Sequence, residues 1–268
     1  MPGVPDPLYV LARRVLLDGL EALSPHLEAL IVVGAQAVYE HTGPADLAVA
    51  ELTTDADVAI APERLAEAPE LVQLLLSRGF DHPGDPGKWM TADGGQFDLL
   101  VPEALAGVGR RGARLAGHGK HAARRAKGLE GALVDHEVRE LGALDEMDPR
   151  TFRVAVAGPA ALLVAKVHKI AERVEMSDRL VDKDALDILR LLRAVPTDRL
   201  AMGLARLTRT EVSQTVTNEA IEFGRELLAH TSAAGVAMAV RAAGPAEDAE
   251  AIAASVVALW DDLVRALR

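Results

Sequence analysis

The chain has 268 residues, 50% of them apolar and 26% charged, enough to bury one large core or two modest ones. Cysteine is absent, which excludes disulfides, a thiolate zinc site and a catalytic thiol, so the cytoplasm is the expected compartment. A net charge of −11 and an aromatic content of 3% argue against broad nucleic-acid binding and base stacking, and leave a local basic patch as the route to a polyanion.

At the N-terminus, Leu8 to Leu23 shows apolar residues at helical spacing and stops before Ser24-Pro25. Arg13 and Arg14 interrupt the run, so no export signal is expected there. Charges break every apolar stretch below the roughly 20 residues of a membrane-spanning helix, so no membrane partner is expected. Leu30 to Val33 is a short β-branched run that stops at Gly34, and Ala35 to His41 reads as helix. Asp55 to Ile60 alternates as a strand does, and Glu63 to Ser77 reads as helix. Residues 81 to 95, rich in Gly, Pro and Asp, read as a loop, and Gln96 to Val101 reads as a strand ending at Pro102. Further strands are expected at 131 to 138 and 151 to 156. Past Gly158-Pro159 the pattern is helical to the end, with Ile252, Val256, Leu259, Leu263 and Leu267 forming one stripe. The expected architecture is α/β, a mixed sheet flanked by helices over 1–157, followed by a helical domain over 158–268.

Strand alternation puts Asp55, Asp57 and Ala59 on one face and Ala56, Val58 and Ile60 on the other. Two carboxylates about 7 Å apart at their Cα atoms can both reach a divalent cation between them, and magnesium suits oxygen ligands. Asp98 stands inside the apolar strand GGQFDLLVP, where an acid is expensive to bury without a partner. Two readings stay open for these acids. They hold a shared metal, or the first two are solvated strand-end charges while Asp98 pairs with an arginine.

On the helix after Gly158-Pro159, a rotation of about 100° per residue puts Lys166, Lys169 and Arg173 within about 60° of one another. Leu163, Val167, Ile170 and Val174 lie on a neighbouring stripe, so this helix can pack while pointing cations into a cleft. Asp184 and Asp187 sit one turn apart further on, where they either orient Lys166 or form surface salt bridges with Lys183 and Arg190. Residues 110 to 127 hold seven of the chain's 29 lysines and arginines and no acid. Arg110, Arg111, Arg114, Lys120, Arg124, Arg125 and Lys127 are therefore candidate contacts to an RNA backbone or a nucleotide triphosphate, against the bland reading of a mobile surface loop or of a loop paired with the acids of the helical domain. His118 and His121 have no third ligand beside them and are not expected to bind zinc.

These stretches together resemble the nucleotidyltransferase superfamily, whose pattern is a small-residue turn, Asp-x-Asp on a strand and a third acid on a later strand. Within it the similarity is greatest to the AbiEii/AbiGii-type toxins, which include the MenT toxins. It rests on VVGAQAVYEHTGPADLAVAELTTDADVAI, GGQFDLLVP, LLVAKVHKIAER and DKDALDIL, in that order, and covers roughly residues 30 to 193. The resemblance implies two magnesium ions on Asp55, Asp57 and Asp98, catalytic roles for Lys166 and Asp187, and nucleotide contacts from Gly34, Ala35, Gln36, Lys169, Arg173 and Asp184. It implies transfer of a nucleoside monophosphate from an NTP to an acceptor hydroxyl, the tRNA 3′ end in a toxin with a cognate antitoxin. Transfer to a small molecule or protein, or nucleotide and RNA binding without transfer, are the alternatives. Ala35 stands where the family usually carries Ser or Gly, which leaves it open whether Gln36 takes over the phosphate contact. The spacing from Gly34 to Asp55 is longer than usual, implying an inserted loop around Thr42 to Thr54.

Overall fold

A computed structural model of the chain describes residues 6–43, 47, 53–174 and 182–268. Most of the insertion expected between Thr42 and Thr54 lies outside them. In chain order the elements are α1 (Pro7–Ala22), β1 (Leu30–Val33), α2 (Gly34–Thr42), β2 (Asp55–Ile60), α3 (Leu71–Ser77), β3 (Lys88–Met90) and β4 (Gln96–Pro102). There follow β5 (Arg124–Ala126), β6 (His136–Gly142), β7 (Thr151–Ala157), and the helices α4 (Pro159–Val174), α5 (Lys183–Ala194), α6 (Thr197–Leu207), α7 (Glu211–Leu227), α8 (Ala234–Ala243) and α9 (Ala249–Ala266).

The seven strands form one mixed sheet in the order β3-β4-β2-β1-β7-β6, with β5 on the far part of β4. β3 pairs antiparallel with Gln96 to Asp98 and β5 pairs parallel with Leu100 to Pro102, so the two short strands share the outer edge of β4. Ala56, Val58, Phe97 and Leu99 point to one face, where they are fully buried. Helix α1 covers that face, so closely that a Cβ on Gly19 would stand 2.4 Å from the Phe97 ring. Its start is secured by Asp6, whose Oδ1 accepts from the Leu8 N–H at 2.8 Å, with Pro7 in the first turn. The opposite face carries the acids and meets α4, with Leu162 and Ala165 of that helix lining a small cavity over Asp57 and Leu100. Buried apolar side chains of the sheet and of the helices beyond residue 158 belong to one continuous core. Among the described residues no helix is long and apolar enough to cross a membrane.

Several elements differ from the sequence expectations. The helix expected over Glu63 to Ser77 is a short 3-10 turn at Pro62–Arg64 followed by α3, because Pro69 lacks the N–H a helix interior needs. The loop expected at 81 to 95 contains β3, whose buried Trp89 donates its indole N–H to the Ala122 carbonyl at 3.1 Å. The strand expected at 131 to 138 is a 3-10 turn at Glu130–Leu133 and then β6. There Gly131 packs against Ala161 and Leu207, which holds the apolar run against the helices and not in the sheet.

Gly34 joins β1 to α2 with φ +71°, a conformation glycine adopts without strain. A Cβ built there would stand 2.1 Å from Asp57 Oδ2 and 2.8 Å from Asp57 Cβ. Gly34→Ala is therefore expected to destabilise the chain by about 2 kcal/mol or more, since it adds backbone strain and drives Asp57 from its place. Urea denaturation measures this, and an unchanged midpoint would contradict the close packing of Gly34 on Asp57.

Candidate active site

The acids meet through strand register. In the parallel pair β2 and β4, Asp57 lies beside Asp98 and Asp55 beside Gln96. On one side β1 sets Val33, the residue before Gly34, beside Asp57, and on the other β3 sets Lys88 beside Asp98. A single row, Val33, Asp57, Asp98, Lys88, thus crosses four strands at spacings of about 4.8 Å. Asp55, two residues before Asp57, shares its face. Arg124 is the partner of Leu100, which lies two residues beyond Asp98, so the Arg124 side chain also falls on the acid face.

Both Asp57 and Asp98 are nearly inaccessible, at 5% and 4% exposure. Asp98 accepts from Gln96 Nε2 at 3.1 Å on Oδ1 and from Arg124 Nη2 at 2.7 Å on Oδ2. Asp55 accepts from the Thr53 hydroxyl at 2.6 Å and from Lys183 Nζ at 3.4 Å. Asp57 differs, because its Oδ1 is buried with no hydrogen-bond partner among the described residues. Burial, then the charges of Asp55 and Asp98, push the Asp57 carboxyl up to about 6. Burial also works against a charge on Asp55, but Lys183, the Thr53 hydroxyl and Lys169 outweigh it and hold that carboxyl below the ordinary range. Arg124 is likewise opposed by burial and held firmly charged by Asp98, with smaller contributions from Asp57 and Asp55.

Helices α4 and α5 carry the second group of residues. Lys166 donates to Asp184 Oδ1 and Asp187 Oδ2, both at 2.5 Å, and none of the three is more than 3% exposed. Arg173 also pairs with Asp184. Burial opposes charge on Lys166 and on Asp184, yet each is kept ionised, the lysine raised by the two acids and Asp184 lowered by Lys166, Lys169 and Arg173. The expectation that Lys166 would point its cation into the cleft is thus corrected. Its side chain lines the small cavity beside Asp57 and Arg124, as that of Lys169 does, but its ammonium is held by Asp184 and Asp187, and the cation of this stripe whose charge acts on Asp55 and Asp57 is Lys169. Surface bridges of Asp184 and Asp187 to Lys183 and Arg190 are not what forms, since both acids are buried.

At the turn, Ala35 is buried and Gln36 faces inward. Gln36 Nε2 donates to the carbonyls of Ala12 at 3.0 Å and Asp55 at 3.3 Å, and its Oε1 accepts from Arg13 Nε at 2.9 Å. Its amide is used in holding α2 to α1 and β2, so it does not supply the phosphate contact considered for it. Several members of the basic run are held by hydrogen bonds and ion pairs, one of them, Lys127, with an acid of the helices beyond residue 158. His118 is fully buried, with Nδ1 accepting from the Leu71 N–H at 3.2 Å and Nε2 left to donate to the Ala66 carbonyl at 2.8 Å. Arg124 pairs with Asp98 and Lys127 with Glu219, and more loosely, both at 3.7 Å, Arg125 pairs with Glu103 and Arg111 with Asp85. Arg110, Arg114 and Lys120 are exposed and make no ion pair among the described residues.

Among the described residues no three His, Asp or Glu side chains converge as a ready-made metal cluster, with Asp98 turned to Arg124 and Asp55 to Thr53 and Lys183. The donor set still suits a hard divalent cation, since three carboxylates share one face and one has a buried oxygen without a partner. Three residues of the site were not singled out from the sequence. Lys88 sits in what reads as a loop and is placed by strand register, whereas Lys183, in what reads as a helix surface, and Thr53, just before the strand, are placed by their contacts to Asp55, which no sequence pattern signals. No protein-family model matches the chain, and no curated protein is similar enough to count as a relative.

Two measurements probe these charges. The folded carboxyl of Asp57, at about 6 against an ordinary 3.8, binds protons in the native state that the unfolded chain has released. The cost of ionising Asp57 therefore accrues as pH rises from about 4 to 6 and is complete above that, and Asp57→Asn is expected to be more stable than the parent by about 3 kcal/mol at pH 7.5 in chelator-treated buffer. The gap should close as pH falls from 6 to 4, and urea melts showing a less stable variant at pH 7.5 would refute it. Lys166→Met leaves Asp184 and Asp187 buried without their lysine, and a loss of about 3–5 kcal/mol is expected. A loss below about 1 kcal/mol would mean that the triad is not a structural support.

Proposed function

We propose that the chain is a metal-dependent nucleotidyltransferase that moves a nucleoside monophosphate from an NTP to an acceptor hydroxyl. The observation that carries this reading is the register row, which sets Asp57 beside Asp98 with Asp55 on the same face, and beside Val33, after which the glycine turn opens α2 against Asp57. Asp55, Asp57 and Asp98 would hold the magnesium ions such transfers use, which stabilise charge on the attacking and leaving oxygens.

The chain's own contribution is positioning and charge. Gly34 brings the start of α2, with its free N–H groups, against Asp57, a favourable place for phosphate oxygens. Lys169 adds a cation over the same face, where negative charge grows as the bond to pyrophosphate breaks. Asp98 lies on the Lys88 side of the row, next to β3 and near β5, in which the basic run ends, and can take the proton of an acceptor arriving from there. The new bond joins the acceptor oxygen to the α-phosphorus, pyrophosphate leaves, and the proton passes to the carboxylate. Lys166 and Asp187, which the resemblance casts as catalytic, are assigned a positioning role, because their charged ends face each other in the helix pair.

RNA is the acceptor we favour, because Arg110, Arg114 and Lys120 are exposed on the segment that ends in β5. The resemblance further suggests the tRNA 3′ end and a toxin with a cognate antitoxin. A second reading, nucleotide and RNA binding without transfer, is favoured by Ala35, which offers no hydroxyl to a phosphate at the turn. Incubating the full chain with magnesium, each α-labelled NTP and total RNA separates them. Labelled RNA that falls at least about a hundredfold in Asp57→Ala or Asp98→Ala supports transfer. Nucleotide binding with no label on any acceptor would support the binder and overturn the enzyme.

A further inference from the structure

Arg124 holds a place that a metal-binding site would have to clear. Its Nη2 sits 2.7 Å from Asp98 Oδ2 while Gln96 takes Asp98 Oδ1, so both oxygens of that acid are engaged. Lys88, the register neighbour of Asp98, makes no ion pair with it, so Arg124 is its cationic partner. A divalent ion shared by Asp57 and Asp98 would stand on this face beside the guanidinium, cation against cation. Arginine cannot yield by losing a proton, so it has to move.

The surroundings allow that movement. Arg124 begins a three-residue strand on the outer edge of β4, and 37% of its side chain is exposed, against 6% for Asp98. It lines the same small cavity as Gly34, Lys127 and Lys169, where phosphate oxygens would lie under the proposed function. Asp57, with its unpartnered buried oxygen, lies within the field of Arg124 but makes no hydrogen bond to it. A guanidinium displaced from Asp98 by a metal ion would thus find an anion close by, matched to its fork of donors.

We propose that Arg124 is an exchangeable internal counter-ion: it neutralises Asp98 when no divalent ion is bound, gives up that acid when one enters, and then binds the phosphates of the incoming nucleotide. Charge stays matched through the exchange, since the metal replaces the arginine on the acids and the arginine meets the triphosphate. Metal and nucleotide binding are thereby coupled, each helping the other. The inference rests on the nucleotidyltransferase reading of this site.

The test is manganese binding to the full chain, followed by electron paramagnetic resonance of the free ion, with and without a non-hydrolysable NTP analogue. Parent, Arg124→Met, Arg124→Lys and Asp57→Asn are compared, each checked for folding by circular dichroism. The expected result is that Arg124→Met binds manganese about tenfold more tightly than the parent without nucleotide, and that the analogue strengthens manganese binding less than in the parent. Arg124→Lys, keeping the charge without the fork, should fall between and serves if the methionine variant does not fold. Equal or weaker manganese binding in the variants, with parent binding that is lost in Asp57→Asn, overturns the exchange while leaving the metal site standing. Parent binding that is absent, or indifferent to Asp57→Asn, overturns both.

Discussion

The buried contact of Lys166 with Asp184 and Asp187 is the constraint on which the arrangement of the site depends. Three charges are removed from water together, which is tolerable only because each faces another at hydrogen-bond distance. The contact joins α4 to α5 and leaves neither helix free to rotate. Lys169, three residues past Lys166, is thereby directed toward the sheet, within the field of Asp55 and Asp57. Lys183, one residue before Asp184, is brought to Asp55. One interaction inside the helical layer thus aligns two cations over the acids of the sheet. On the same helix as Asp184, Arg190 lies over the Tyr39 ring, 5.4 Å from its centroid, which ties α5 to α2 and so to the turn at Gly34.

Against this well-matched support, the row of acids is a local conflict. Asp57 is buried beside Asp98, near Asp55, with one oxygen that has no hydrogen-bond partner among the described residues. An apolar residue would pack as well and avoid the repulsion that raises its carboxyl. The neighbouring cations relieve the conflict in part, with Arg124 on Asp98 and Lys183 on Asp55, but leave Asp57 to bear it. Sequences generally keep such a residue only where its chemistry is used, because each local preference otherwise agrees with the fold. Gly34 belongs to the same bargain, since its missing Cβ is what lets the helix start approach the acid.

The sequence made the inner strands and the acids legible for a physical reason. β1, β2 and β4 are short runs whose alternation or uniform apolarity leaves little choice, and an aspartate inside an apolar strand stands out by its burial cost. The edge elements were not legible. β3 and β5 are three residues each, with Lys88 and Arg124 in segments whose glycines and prolines read as loop, and they are strands only because β4 offers them an edge. Lys166 was legible as part of a basic stripe, but its direction was not, since helical spacing defines a face without saying which neighbour covers it. Gln36 was ambiguous for the same reason, as a polar residue at a turn can meet a ligand or its own chain, and here Arg13 decides for the chain.

The distribution of basic charge follows from the same packing. Net acidity of −11 hides a run of seven cations, and folding divides that run by depth. The inner members, Arg124 and Arg125, fall on β5 and are drawn to Asp98 and Glu103, while Arg110, Arg114 and Lys120 stay exposed on the segment leading to them. His118 ties that segment to the backbone of Ala66 and of Leu71 at the start of α3. Depth then separates two tasks within one stretch of sequence. The outer cations are left to solvent, and the inner arginine stands among the carboxylates, where it offsets the charge of Asp98.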